Sequence, residues 1–413
     1  MIHPQGAPWF RRSAAVFLIM TTLTPMSVLA QDETQATVVV RTWTGERFEA
    51  SSIEPSIAVL SFQAAGSTRT LPWRQIRSLE SEYERTITDG TRSLAAMGRD
   101  IWRATTRLDR GDSFGAEPLF ESAFERTRGN VGPTPAAVAE GLLRCRLRRD
   151  ARAAAIDAWL ELAANLASAP ASDPDWGIRL TAVDRRTRLV PSLPPIWFDS
   201  LPARAFADAL ANPTLDQSRD PTAPSSRDNR PGEPPHAIRT LYRAAARHAL
   251  GDPIDADAVS RAAEAASHRE GGRLVAQTVL AQIGGAEARA AAREALSREL
   301  DTREDRWRAV WAALAIGRSL LREPDPADQR RGILTLLSIH ASDADAAPYL
   351  TGIALADAAL AAERIGDLNA ADTIRADLAR SYPNHPVRRL PGLAHRQTPW
   401  SSHDQSSRSP GAS

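Results

Sequence analysis

The chain has 413 residues, of which 43% are hydrophobic and 24% charged, proportions typical of a soluble globular protein of two or three domains. All 51 Lys+Arg positions are arginine, which excludes a P-loop with its lysine, a Schiff-base enzyme and a standard protein kinase. The net charge of +1 argues against a general nucleic-acid or anionic-membrane binder.

Residues 1–30 have the pattern of a secretory signal peptide. Arg11 and Arg12 precede the apolar run SAAVFLIMTTL, and Val-Leu-Ala at 28–30 forms a small-residue cleavage site. Pro25 interrupts the apolar run, which favours a cleaved signal over the alternative of an uncleaved membrane anchor. Cleavage would change the net charge from +1 to −1, because the segment contains two arginines and no acidic residue.

Cys145 is the only cysteine, so the chain can form no intramolecular disulfide. No cysteine follows the predicted cleavage site, which excludes attachment as a lipoprotein. Cys145 lies in the helical pattern GLLRCRLRR and is interpreted as a small packed residue rather than a reactive thiol. Export without disulfides favours a bacterial periplasm or cell envelope.

Residues 31–80 are predicted to form a small β module. TVVVRTW (37–43) and RFEA (47–50) flank the turn TGE, while SIAVLSFQA (56–64) and TRTLPW (68–73) flank a second turn. These short strands, followed by RQIRSLE, predict a β-barrel-like or curled-sheet module.

Helical periodicity begins near Glu82 and defines two predicted blocks, helical hairpins at 81–170 and a second helical-repeat block at 236–390. In each block apolar residues recur at spacings of three and four. The supporting positions are Ile101, Ala104, Leu108, Ile238, Leu241, Tyr242, Ala245, Ala249, Trp307, Val310, Trp311, Leu314 and Leu321. Trp307 and Trp311 are one helical turn apart, which predicts a buried stripe rather than a ligand platform.

A proline-rich region at 171–235 separates the two helical blocks. LVPSLPPIWFDSLPARAF (189–206) is predicted to pack as an extended segment, because its large apolar side chains, Ile196, Trp197 and Phe198, would be costly to leave exposed. The stretch from Asn212 to Pro235 has almost no apolar content, which predicts a disordered linker. Residues 391–413 are predicted to be a disordered tail.

The dipeptide Gly-Asp occurs after three amphipathic stretches, at Gly111, Gly251 and Gly366. An alanine lies five residues after each glycine: Ala116, Ala256 and Ala371. A glycine at positive φ can end one helix and reverse the chain, and the following aspartate can cap the next helix. A small alanine then lets the two helices approach closely, so the pattern predicts helix-to-helix turns.

These residues resemble the tetratricopeptide repeat, in which a short Gly-containing turn joins two antiparallel helices. A small residue followed four positions later by an aromatic residue occurs as Ala116 with Phe120 and as Ala155 with Trp159. The resemblance covers roughly half the chain and implies stacked helical hairpins that share one core and present a binding surface.

The last unit, LADAALAAERIGDLNAADTIRADLARSYPNHP, follows the outline of this repeat at Gly366 and at the helix-ending Pro383. It departs from the family pattern where Arg375 takes the usual aromatic position and where an Ala-Ala pair at 358–359 replaces Leu-Gly. The sequence thus predicts a mainly α fold, a helical-hairpin array of tetratricopeptide-like kind preceded by the β module.

The stretch around Ser113 has two functional interpretations besides a turn. Gly111 to Gly115 fits G-x-S-x-G, the nucleophile elbow of α/β-hydrolases, and Arg110-Gly111-Asp112 is the tripeptide that integrins recognise. An elbow requires a strand before the serine, whereas the preceding DIWRATTRLD is helical in period. We therefore interpret the stretch as a turn and assign no catalytic residue.

The sequence contains no H-E-x-x-H motif, no cysteine pair and no EF-hand loop. His236, His248, His268 and His340 are scattered along the chain. The acidic stretches DPIDADA, DPADQ and SDADAAPYL are predicted to be helix starts, where carboxylates favour the positive end of the helix dipole. No metal, cofactor or catalytic residue is assigned.

The favoured function is an exported, non-enzymatic scaffold or protein-interaction protein of the bacterial envelope, with a protein partner, no nucleic-acid partner and no membrane span after signal cleavage. One alternative is an envelope enzyme with an unrecognised site between the β module and the helices. Another is a glycan-binding protein that stacks sugars on Trp43, Trp73 or Trp197, although buried-core roles for these tryptophans are preferred.

Overall fold

The computed structural model describes residues 37–81, 86–197, 203–204, 234–300, 305–390 and 392–393. The predicted signal peptide lies outside these residues, and so do the predicted linker and tail apart from positions 234–235 and 392–393. Two of those expectations are wrong at their margins. A helix already begins at Pro234, since proline is tolerated in a first helical turn, and Leu393 is buried rather than disordered.

An antiparallel sheet of five strands occupies the amino-terminal part of the described chain. Its strands are β1 (Val38–Thr42), β2 (Arg47–Pro55), β3 (Leu60–Ala64), β4 (Ser67–Leu71) and β5 (Ile76–Ser81). The strand order is β4-β3-β2-β1-β5, so the sheet is open at β4 and β5 and is not a closed barrel. The third strand begins four residues later than predicted, because Ser56 forms a turn in which its amide donates to Val59 O at 2.9 Å.

Twelve α-helices follow the sheet within the described ranges. They are α1 (Asp89–Asp109), α2 (Ser113–Thr127), α3 (Pro133–Arg148), α4 (Arg152–Ala167), α5 (Pro234–Ala249), α6 (Ala256–Ala266), α7 (Glu270–Ile283), α8 (Ala286–Leu300), α9 (Arg306–Leu320), α10 (Pro326–Asp343), α11 (Pro348–Arg364) and α12 (Leu368–Ser381). The prediction of a mainly helical chain with a small amino-terminal β module is confirmed.

Each helix contacts the next helix along the chain, and contacts also join alternate helices, namely α1 with α3, α5 with α7, α7 with α9, and α9 with α11. The two helical stretches meet where α4 contacts α5. The sheet packs on α1 through β5 and through the short turn that contains Trp73. Trp73 is fully buried, and its indole N–H donates to Ser56 O at 2.7 Å, which satisfies the polar atom of this large side chain.

All three Gly-Asp dipeptides have the predicted turn conformation. Gly111, Gly251 and Gly366 have φ of 92°, 74° and 85°, in the left-handed region that favours glycine. In each turn the amide of the following aspartate donates to a carbonyl five residues earlier, as in a Schellman helix end. Asp112 and Asp367 then cap the next helix, since their carboxylates accept from backbone amides at 2.8 Å and 3.0 Å.

Three details of the predicted helices are wrong. Ala256 is exposed because Asp255 caps α6 and leaves the alanine in the first helical turn, whereas Ala116 and Ala371 are fully buried as predicted. Ala249 is exposed at the end of α5. The stretch 342–350 contains the start of α11, but this helix begins without a side-chain cap.

Candidate functional site

A non-helical stretch, TRLVPSLPPIW at 187–197, lies among the helices and is called here the central segment. Its apolar side chains Leu189, Val190 and Leu193 are each at most 2% exposed. The predicted packing is confirmed, but the segment is not simply extended, because the amide of Leu193 donates to Val190 O at 3.0 Å across a turn. Prolines at 191, 194 and 195 have no backbone N–H, so the main chain of this segment has three fewer donors than carbonyl acceptors.

Six side chains from four helices donate hydrogen bonds to carbonyl oxygens of the central segment. The donor and acceptor pairs are Trp159 to Arg188 O (3.2 Å), Trp311 to Pro191 O (2.7 Å), Arg152 to Ser192 O (3.2 Å), Tyr242 to Leu193 O (2.5 Å), Gln282 to Pro195 O (3.2 Å) and Arg318 to Trp197 O (2.9 Å). The two donors on α4 precede their acceptors by 29 and 40 residues, whereas the other four lie on α5, α7 and α9, which follow the segment. These helices therefore form a groove, the segment groove, that holds main-chain atoms of a distant part of the chain.

Helix α7 approaches the central segment at Gly271. A Cβ atom at this position would lie 2.1 Å from Thr187 O and 3.1 Å from the side chain of Leu189. Such distances are shorter than van der Waals contact, so the close approach depends on the missing side chain. Glycine is thus required here by packing, although the helix itself would tolerate alanine.

An ion-pair network joins Arg186, the residue before the central segment, to α7, α8 and α9. Arg308 is only 4% exposed, and its guanidinium lies 2.6 Å from the carboxylate of Glu270 and 2.5 Å from that of Glu299. Arg186 also pairs with Glu270, and hydrogen bonds from these two arginines lower the pKa of Glu270 to about 2. Because the buried arginine is paired, its burial does not leave an uncompensated charge.

A cavity of about 120 Å³ lies beside the central segment. Its walls are mainly apolar and include Ile156, Leu193, Ile196, Trp197 and Pro386. At one side the guanidinium of Arg152 lies 3.4 Å from the centre of the Tyr349 ring and 2.9 Å from the carboxylate of Asp150. The cavity therefore combines mainly apolar walls with a paired charge at one side.

His385 lies next to two residues that line this cavity, Tyr349 and Pro386. Its Nε2 lies 2.9 Å from Tyr349 O, and its Nδ1 accepts from the amide of Val387 at 3.2 Å. A ring that accepts at Nδ1 and donates at Nε2 is the neutral imidazole. Burial lowers the pKa of His385; the nearby Arg152 acts in the same direction, while the contact with Tyr349 and the carboxylate of Asp150 oppose it.

Acidification below about pH 6.5 is expected to destabilise this region, because 6.5 is the ordinary pKa of histidine and the folded protein prefers the neutral ring. The contribution of His385 is fully present above that pH and is lost as the pH falls toward the lowered pKa of the folded state. A His385→Asn variant keeps an oxygen that can accept from Val387 but cannot titrate. Lowering the pH from about 7.5 to about 5.5 should reduce the melting temperature more in the wild type than in this variant, as measured by thermal unfolding at both pH values. Equal shifts in both proteins would contradict the assignment.

The structure places Ser113 at the first turn of α2, directly after the turn that ends α1. A helix rather than a strand precedes it, so the local context of a nucleophile elbow is not formed at this position. Cys145 is fully buried as predicted, and burial together with Glu117 raises the pKa of its thiol to about 12. Neither side chain has the surroundings of an activated nucleophile.

Substitution tests distinguish the turn from a reactive serine. Ser113→Ala is expected to change the free energy of unfolding by less than about 0.5 kcal/mol, because a partly exposed first-turn serine contributes little. Gly111→Val should cost about 2 kcal/mol, because a β-branched residue is strained at the positive φ of this turn. Denaturant unfolding of both variants measures the difference. An equally stable Ser113→Ala protein that has lost its cellular role would contradict the structural interpretation.

The tryptophans considered for glycan stacking have different surroundings. Trp73 belongs to the core, as preferred from the sequence, whereas Trp43 and Trp197 are partly buried. Trp43 stacks on Trp102 with ring centres 3.9 Å apart, so one face of its indole is already covered. Trp197 instead lines the cavity beside the central segment.

The junction of the β module with the helices contains two charged groups, the buried Glu140 and the half-buried Arg74. Arg74 donates to Gly177 O at 3.1 Å, and Glu140 accepts from the hydroxyl of Thr181 at 3.2 Å. Burial raises the pKa of the Glu140 carboxyl and lowers that of the Arg74 guanidinium. Glu140 and Arg74 also attract each other electrostatically. These contacts join the sheet, α3 and the residues that lead to the central segment.

The apolar periodicity of the sequence predicts the buried faces of the helices but not the segment groove. Trp159, Tyr242 and Trp311 lie at positions predicted to face the core, and a buried indole or phenol requires a hydrogen-bond acceptor. This requirement is the feature of the sequence that indicates an acceptor near these side chains. It does not identify the acceptor, since Trp311 and Pro191 are 120 residues apart in the chain.

In the part of the chain that the structure describes, no group of three His, Cys, Asp or Glu side chains is placed to share a metal ion. None of the helices within the same ranges combines the length and apolar character needed to cross a bilayer. Comparisons of the chain with family models, with curated proteins and with solved structures returned no match.

Proposed function

We propose that the protein is an exported, non-enzymatic scaffold of a bacterial envelope that binds a protein partner through its helices. The observation that carries this proposal is the segment groove, in which side chains of α4, α5, α7 and α9 bind main-chain carbonyl groups of a non-helical segment. Such contacts recognise polypeptide rather than a particular reactive group. Helices that already bind a segment of chain in this way have the chemistry of a protein-binding surface.

The arrangement of the helices supports a tetratricopeptide-like array as the basis of this function. Contacts between consecutive and alternate helices are those expected of stacked hairpins. The small and aromatic residues of the predicted motif are buried, with Ala116, Phe120, Ala155 and Trp159 each at most 1% exposed. Arg375, which departs from the motif, donates to Gly392 O at 2.9 Å and holds the end of the described chain against α12.

Site-specific photocrosslinking in the native envelope tests the proposed function. A photoreactive residue at Ala153, in the wall of the cavity, is compared with one at Leu334, which is 66% exposed on α10. The expected result is a covalent adduct with one defined protein from position 153 and none from position 334. Helical content measured by circular dichroism confirms that both variants are folded.

Two outcomes would contradict the proposal. One is the absence of any specific adduct from folded protein at position 153 and at further positions along the segment groove. The other is a reproducible hydrolase activity that copurifies with the mature protein and is lost on substitution of its own residues. The second result would favour an envelope enzyme.

A further inference from the structure

The central segment occupies the segment groove as a bound peptide would. Between Leu189 and Trp197 the sequence LVPSLPPIW contains no charged residue, and its branched aliphatic side chains, Leu189, Val190, Leu193 and Ile196, are buried. The donors on α5, α7 and α9 contact carbonyl oxygens at Pro191, Leu193, Pro195 and Trp197. These three helices thus bind every second carbonyl group from Pro191 to Trp197, while Arg152 on α4 binds the carbonyl of Ser192 between them.

The donors on α5, α7 and α9 are far in sequence from the carbonyl groups that they bind. Tyr242 is 49 residues from its acceptor, Gln282 is 87, Trp311 is 120 and Arg318 is 121. Local folding of the chain therefore does not impose these contacts, and they arise only when two separate parts of the chain associate. An association of this kind has the same chemistry whether the two parts are covalently joined or not.

We propose that the segment groove is a binding site for uncharged, proline-rich peptide segments, and that the central segment is its intramolecular ligand. The inference rests on the proposed function, since it names the site and the class of peptide that a scaffold of this kind would bind. A partner segment of the same class binds in place of the central segment when the latter is withdrawn. The joined segment has a high effective concentration, on the order of millimolar, so it keeps the groove closed to weak competitors.

The recognition chemistry follows from the pairs already described. Proline has no backbone N–H and does not fit a regular helix or an inner strand, so this segment forms no regular backbone ladder and side-chain donors of the groove bind several of its carbonyl groups. Indole, phenol and guanidinium donors at fixed positions select the spacing of the carbonyl groups. Leu189 adds shape, because it packs at Gly271, where an added Cβ would lie 3.1 Å from its side chain.

The test uses the full chain with the central segment weakened by Leu189→Ser and Leu193→Ser, and a fluorescent peptide with the sequence of residues 187–197. Fluorescence anisotropy is expected to show at least tenfold tighter binding of this peptide to the segment variant than to the wild type. A scrambled peptide of the same composition should bind at least tenfold more weakly than the native sequence. Adding Trp311→Phe and Tyr242→Phe to the segment variant should weaken binding at least tenfold, since two carbonyl donors are lost.

A second measurement applies if the segment variant loses structure, namely whether the added peptide restores its fold. Addition of the native peptide should restore helical circular dichroism and raise the melting temperature, whereas the scrambled peptide should do neither. The inference is overturned if a folded segment variant does not bind the peptide, if native and scrambled peptides bind equally, or if an unfolded variant is not restored. An adduct at position 153 in the photocrosslinking experiment together with any of these failures would leave the scaffold function standing and assign its partner to the cavity wall rather than to the segment groove.

Discussion

Replacing Gly271 by alanine is expected to lower the free energy of unfolding by about 3 kcal/mol, the upper range for overpacking in a close-packed interior. The added Cβ would lie 2.1 Å from Thr187 O, and that oxygen belongs to the main chain of the central segment and cannot rotate away. The helix α7 and the segment would have to separate. Equilibrium unfolding in denaturant, followed by circular dichroism, measures the loss.

Gly90 provides a matched control for this substitution, because Gly90 and Gly271 are each the second residue of a helix. At Gly90 the nearest atom to an added Cβ is the hydroxyl oxygen of Thr88, at an ordinary contact distance of 3.7 Å. Alanine is intrinsically the better helix former by about 1 kcal/mol, so Gly90→Ala should be neutral or stabilising. Equal effects of the two substitutions would show that the central segment does not contact α7 as closely as described.

The parts of the fold that the sequence predicts are those decided by neighbouring residues. Glycine at positive φ and aspartate at a helix start act within a few positions, and Gly111, Asp112, Gly366 and Asp367 all have the expected conformation or contact. Strand and helix types follow from periodicity for the same reason. The error at Ala256 has a local cause as well, since a second aspartate three residues further on provides the cap and shifts the start of α6.

The segment groove could not be predicted in this way. Its donors lie on helices whose buried faces were predicted, but their acceptors are main-chain carbonyl groups, which every residue carries. The identity of a residue therefore does not reveal that its carbonyl is bound. The large apolar side chains that begin at Leu189 predicted that this segment packs, but they do not indicate which distant helices enclose it.

Replacing Trp311 by alanine is expected to cost about 4 kcal/mol of stability, within the usual range for deleting a buried aromatic side chain. Trp311 is fully buried, and its indole N–H donates to Pro191 O at 2.7 Å. The substitution opens a cavity in α9 and leaves a buried carbonyl without this donor. Trp311→Phe retains most of the volume and should cost less, and the difference between the two variants separates cavity formation from loss of the hydrogen bond. Denaturant unfolding of both variants provides these values.

Trp307 is the control within the same helix, since it lies one turn before Trp311 and contacts it edge to face with ring centres 5.3 Å apart. It is only partly buried, so Trp307→Ala should cost less than half of the Trp311 value. The sequence pattern alone gives the two tryptophans the same role in a buried stripe. Equal losses would support that simple stripe, whereas the expected inequality identifies Trp311 as the contact that joins α9 to the central segment and so makes the segment groove part of the folded core.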